Sequence, residues 1–153
     1  MKIYNLKDRE EYLEEVCLLE HKEWGSIDKS EEELNNKINK KINMIKDNFD
    51  NKYFCKLILL DNNKLVGFIS ILPYDSDEYK ELKPWYGTIY VKEEYRGKGY
   101  SKLLNDAILE EAKDRGFNKL YLKTTLNNYY EKFGAIYLDK LKNGEKLYYI
   151  DTK

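Results

Sequence analysis

The stretch Val91-Lys92-Glu93-Glu94-Tyr95-Arg96-Gly97-Lys98-Gly99-Tyr100-Ser101 joins the end of a β-rich run to a basic glycine loop and the start of a helix. Residues of these types in this order suit the holding of phosphate. A helix N-terminus presents unpaired N–H groups and the positive end of the peptide dipole. Gly97 and Gly99 let the chain turn tightly enough for those groups to converge, and Arg96 and Lys98 add full charges. Downstream, Leu126-Asn127-Asn128-Tyr129-Tyr130-Glu131-Lys132-Phe133-Gly134-Ala135 reads as a short helix ended by glycine, with two adjacent phenols. A phenol of pKa ~10 stays protonated at neutral pH and can donate to a leaving anion.

Three nucleotide-binding readings compete for a pyrophosphate ligand, and spacing separates them. A Walker loop needs G-x-x-x-x-G-K-[ST], but Lys98 stands between two glycines with no glycine at the first position. A Rossmann fingerprint needs a third glycine and belongs to the first βαβ unit, whereas Gly97-Lys98-Gly99 falls two-thirds of the way along the chain. What remains is R-x-x-G-x-[GA] after a strand, met by Arg96, Gly99 and Ser101 with serine in the last place. This resembles the coenzyme A signature of the GCN5-related N-acetyltransferase (GNAT) family. Tyr130-Glu131-Lys132-Phe133-Gly134-Ala135 is similar to that family's last motif, and the two lie a helix and a strand apart.

The resemblance implies direct transfer of an acetyl group from acetyl-CoA to a primary amine in a ternary complex. It places the cofactor on Tyr90, Val91, Arg96, Gly97, Lys98, Gly99, Tyr100, Ser101 and Asn127, with Tyr130 as general acid to the leaving thiolate. Glu23, Trp24, Glu78 and Trp85 are the candidates for the acceptor side. Many relatives carry a glutamate base early in the fourth strand; here Trp85 occupies that place, so a base must come from Glu20, Glu23, Asp75, Asp77, Glu78 or Glu81. Those acids together suggest negative potential and a small cationic amine as acceptor.

Elements to position these groups follow from periodicity. A strand over residues 1–6 precedes a helix capped by Asp8 and running to Trp24, and Ser30-Glu31-Glu32-Glu33 opens a second helix with Leu34, Ile38, Ile42 and Ile45 on its apolar stripe. Tyr53–Leu60 and Leu65–Leu72 form a hairpin, and a polar loop runs from Pro73 to Pro84. Trp85–Lys92, a helix from Tyr100 to Arg115, Lys119–Thr125, the Asn127 helix and a last hairpin turning at Asn143-Gly144 complete the order. That is the element order of the GNAT fold: an α/β (α+β) chain with a mixed sheet of six to seven strands, splayed between strands 4 and 5 and flanked by about four helices. Gly87 is expected to mark a bulge where the splay begins.

The 153 residues suit one domain, 1–153, and a net charge of −1 with dispersed basic residues gives no nucleic-acid or membrane surface. Cys17 and Cys55 lack metal spacing and read as small core hydrophobes of a reduced compartment; His21, the single histidine, reads as a surface residue. No signal peptide or apolar run of membrane length is seen, so a cytoplasmic protein without a metal is expected. Two other readings stay open: a CoA-binding regulatory module without catalysis, and acetylation of protein N-termini or lysines. A homodimer is compatible with the resemblance.

Overall fold

In a computed structural model describing residues 1–152, seven strands form one mixed sheet in the order β1-β2-β3-β4-β5-β7-β6. The strands are β1 (Lys2–Asn5), β2 (Cys55–Asp61), β3 (Lys64–Leu72), β4 (Trp85–Val91), β5 (Lys119–Thr124), β6 (Ile136–Lys140) and β7 (Lys146–Asp151). Alternation in β2 and β3 gives both faces apolar side chains, so both must be covered. On one face pack α1 (Leu13–Trp24) and α2 (Glu31–Asp47), whose Val16, Cys17, Ile38 and Ile45 meet Ile58 and Phe68. On the other lies α3 (Tyr100–Asp114), with Leu104, Ile108 and Ala112 against Val66, Ile69 and Leu120.

The expected splay is present. β4 and β5 run parallel but share a single paired position, Trp85 with Tyr121, and then diverge. Beyond that point the β5-facing edge of β4 has no ladder partner. Its other edge pairs with β3, and the register slips by one residue between Ser70–Gly87 and Phe68–Tyr90. The bulge therefore falls one step after Gly87, at Thr88 and Ile89, and Thr88 takes a φ of 44°. Positive φ at a β-branched residue stores roughly 1–3 kcal/mol of strain, and such strain collects at functional positions.

Three α-helices stand where about four were expected, because the Asn127 segment forms only a 3₁₀ turn, Tyr130–Phe133. Asn128 adopts a φ of 56°, which no helix continues, and Gly134 at 90° ends the turn. The first helix also starts later than Asp8. Asn5, not Asp8, caps the chain there, accepting from the Lys7 N–H at 3.0 Å, and two 3₁₀ turns precede α1. α2 begins as its capping signal requires, with Ser30 Oγ accepting from the Glu33 N–H at 3.1 Å.

Candidate active site

The phosphate-type loop leads from β4 into α3 with Gly97 at φ 78° and Gly99 at φ 83°, conformations that favour glycine. Gly99 is the first flanking residue of α3 and no side chain caps the helix, nor is there an acid in its first turn. The opening N–H groups of α3 thus face a cleft of about 680 Å³ between the loop and the Tyr130 turn. Arg96 is anchored by donating Nε–H to the Val91 carbonyl at 2.8 Å, and its guanidinium lies 5.6 Å from the Tyr90 ring centroid. Tyr90, Val91, Gly97, Tyr100 and Ser101 line the same cleft. Lys102 and Lys132, which sequence reasoning passed over, line it too, so three cations face Glu23 as the one acid.

Two residues assigned to the cofactor stand apart from this wall. Lys98 is exposed at the loop tip, and Asn127 accepts from the Lys146 ammonium on β7, an engagement that holds it away from the cleft. The Tyr130 ring is held by three aromatic neighbours, Tyr129, Tyr86 and Phe133, at centroid distances of 4.8, 5.8 and 6.5 Å. Burial, aided by the neighbouring Tyr129 phenol, pushes its pKa up to about 12. Tyr86 is buried with its hydroxyl unpaired, and burial raises its pKa as well. Tyr130 lines both the phosphate cleft and a second one of about 500 Å³ that opens through the β4–β5 fork toward α1 and α2.

Glu20, Trp24, Lys41, Asp75, Thr88, Lys123 and Glu145 supply the polar side of that second cleft. Of the acids expected there, Glu20 and Asp75 are present, Glu23 lines the first cleft instead, and Asp77, Glu78 and Glu81 line neither. Glu78 is drawn to the last hairpin, where it accepts from the Lys142 N–H at 3.0 Å. Asp75 lies 4.0 Å from Lys123 Nζ; burial outweighs that cation and pushes the carboxyl up to about 6, with Glu145 acting in the same direction. Trp24 is half exposed and meets Tyr90 edge-on at 6.4 Å. Trp85 is fully buried at the closed end of the fork, donating to the Leu82 carbonyl at 2.7 Å and packing on Leu141 and Leu147. It does not reach either cleft, which corrects its placement on the acceptor side.

Beneath the second cleft sits a polar group that sequence reasoning missed. Lys56, on β2 and 3% exposed, donates to Glu20, to Ser70 Oγ at 2.7 Å and to Thr88 Oγ1 at 3.4 Å. Lys41 Nζ lies 3.2 Å from the other oxygen of Glu20. Glu20 is thereby engaged by two ammoniums. His21 is half-buried rather than on the surface, with Nε2 2.6 Å from Asp28 Oδ2. Cys17 and Cys55 are free and buried, and burial pushes their thiols up to about 11 and about 12. Among the described residues, no group of three or more His, Cys, Asp or Glu is placed to hold a metal, and no helix is long and apolar enough to cross a membrane.

A fork of this kind suits a ligand with a pyrophosphate at one end and a reactive thioester at the other, which is the demand of a CoA-dependent acyl transferase. The profile of the acetyltransferase (GNAT) family matches residues 11–135, and the chain belongs to that family, whose cofactor is acetyl-CoA. Over 82 residues, 50% of this chain, it is 29% identical to N-alpha-acetyltransferase 30 of Schizosaccharomyces pombe, and it spans about half, 54%, of that relative's length. Among solved structures, an aminoglycoside 6'-N-acetyltransferase complexed with coenzyme A superposes with a TM-score of 0.72 at 17% identity, over 100% of this chain and 98% of the other. A spermidine N-acetyltransferase from Vibrio cholerae gives 0.69 at 17%, over 99% and 95%.

Proposed function

We propose that the chain acts as one domain that transfers the acetyl group of acetyl-CoA to the primary amine of a small molecule, by direct attack in a ternary complex. The observation that carries this reading is the position of Tyr130, on the wall shared by a phosphate-type cleft and a second cleft entered through the fork. Structural likeness to aminoglycoside and spermidine acetyltransferases supports a small-molecule amine. Partial identity to a protein N-terminal acetyltransferase favours a peptide amine as the second reading. The free buried thiols fit a reduced, cytoplasmic setting, and a net charge of −1 leaves nucleic acid out of the reading.

A primary amine of pKa ~10.4 arrives as an ammonium, and Asp75 and Glu145 face it. Asp75, with its pKa near 6, is ionised at neutral pH yet basic enough to accept a proton through water. The freed nitrogen attacks the thioester carbonyl, a C–N bond forms, and the oxyanion is met by N–H groups on the open edge of β4 near Tyr90 and Val91. The C–S bond then breaks. Because the Tyr130 phenol at about 12 is weaker than a thiol at ~8.5, it acts on the leaving sulfur chiefly as a hydrogen-bond donor. Nitrogen releases two protons in all: the first goes to Asp75 through water before attack, and the second, lost from the tetrahedral adduct, ends on the sulfur.

Thermal unfolding with and without acetyl-CoA, paired with CoA release over an amine panel, tests this. Acetyl-CoA at ~100 times its Kd adds about 2.7 kcal/mol, a midpoint rise of roughly 5–10 °C for a domain of this size. No rise removes the cofactor assignment; a rise without release on any amine removes the catalysis. Assembly as a homodimer through β6 is part of the same reading: it is an edge strand, and Ile136, Tyr137 and Leu138 are all exposed along it.

A further inference from the structure

The second cleft continues past Thr88, Glu20 and Lys41, residues it shares with a trough of about 650 Å³ between α2 and the end of β3. Met44, Phe54, Leu72 and Pro73 give the trough apolar walls. Its charged residues are three lysines, Lys41, Lys56 and Lys83, against the single carboxylate of Glu20. The three hydrogens of the Lys56 ammonium are committed to Glu20, Ser70 and Thr88. Lys41 spends one contact on Glu20 and is 29% exposed, so it keeps hydrogens for a ligand. Lys83 stands at the rim, 4.6 Å from the Tyr53 ring centroid.

Glu20 therefore neutralises one of two adjacent cations, and the surplus positive charge is centred on Lys41, which is partly shielded from solvent beside the apolar walls of the trough. A polyamine entering the trough meets like charge; a carboxylate meets a free donor. Building on the acetyl-transfer reading, we propose that the acceptor is a zwitterion with an apolar side chain, an α-amino acid or a compound of the same layout. Its amine lies toward Tyr130 and Asp75, its carboxylate on Lys41, and its side chain in the trough. Asp75 and Lys41 line the same cleft and can take the neighbouring ammonium and carboxylate of one molecule, while the trough beyond Lys41 receives its side chain.

The test measures CoA release by the full chain with L-phenylalanine, L-leucine, their carboxamides and spermidine. Charge-assisted hydrogen bonding at Lys41 predicts kcat/KM about 10- to 100-fold higher for the free acids than for the amides. Lys41→Met brings that ratio toward one and Lys41→Arg preserves it, while both keep the midpoint rise with acetyl-CoA. Amides or spermidine used as well as the acids, no use of either amino acid, or a ratio that survives Lys41→Met each overturns the proposal. If wild-type protein shows no acetyl-CoA shift, the acetyl-transfer reading fails instead; a shift with spermidine turnover and no carboxylate preference sinks the zwitterion alone.

Discussion

Lys56→Met removes a buried ammonium while keeping an unbranched side chain of similar length. It leaves the 4%-exposed Glu20 side chain with Lys41 as its only cation and strips Ser70 and Thr88 of a shared donor. Breaking one side of a buried ion pair costs about 3–5 kcal/mol, chiefly because the remaining charge keeps its desolvation penalty. At 2–4 °C per kcal/mol for a chain of this length, the midpoint should fall by roughly 6–20 °C. Adding Glu20→Gln removes the stranded carboxylate, so the double variant should recover much of the loss. Urea titrations read the effect as a shift in midpoint at unchanged slope. A loss under about 1 kcal/mol in Lys56→Met, or a double variant as unstable as the two singles combined, would refute the claim that Lys56 and Glu20 form one electrostatic unit.

Other outcomes follow from the site. Tyr130→Phe should lower kcat at least about tenfold with little change in the acetyl-CoA midpoint rise, and Tyr129→Phe should do less; small, equal effects would release Tyr130 from its role. Asp75 has a folded pKa of about 6, above the ordinary ~3.9, so the folded state holds its proton more tightly and loses stability as pH rises from about 4 to 6. Asp75→Asn should match wild type near pH 4, gain on it up to pH 6 and keep a constant lead above; a flat difference across that window would contradict the burial argument. The same variant should lose the rise in rate near pH 6 if Asp75 is the base. Tyr137→Lys on β6 should convert a dimer into a monomer by light scattering, and a wild-type chain that already runs as a monomer would exclude that interface.

Local chemistry was readable in the sequence, and chemistry assembled from distant elements was not. Arg96, Gly97, Gly99 and Ser101 announce themselves because a turn, a helix start and the charges beside it are neighbours along the chain. Glu20, Lys41, Lys56, Ser70 and Thr88 come from α1, α2, β2, β3 and β4, and no short pattern links them. A signal was available in β2, where Lys56 shares alternation parity with the buried Ile58 and Leu60, which already places a lysine indoors. The Asn127 helix was overread because the closing glycine marks a helix end, whereas Asn128 takes a positive φ and the Asn- and Tyr-rich segment has little helix propensity to resist it. Trp85 was misplaced because one paired position decides which end of the fork is closed.

The bare start of α3 has a consequence beyond binding. Where α2 brings its own cap, α3 has none, so on the proposed reading a cofactor phosphate would complete the helix as a residue would. Part of the fold's cohesion would then be lodged outside the chain and vary with the supply of cofactor. An unloaded molecule should fray first around residues 96–102, and hydrogen exchange there should slow when acetyl-CoA is added.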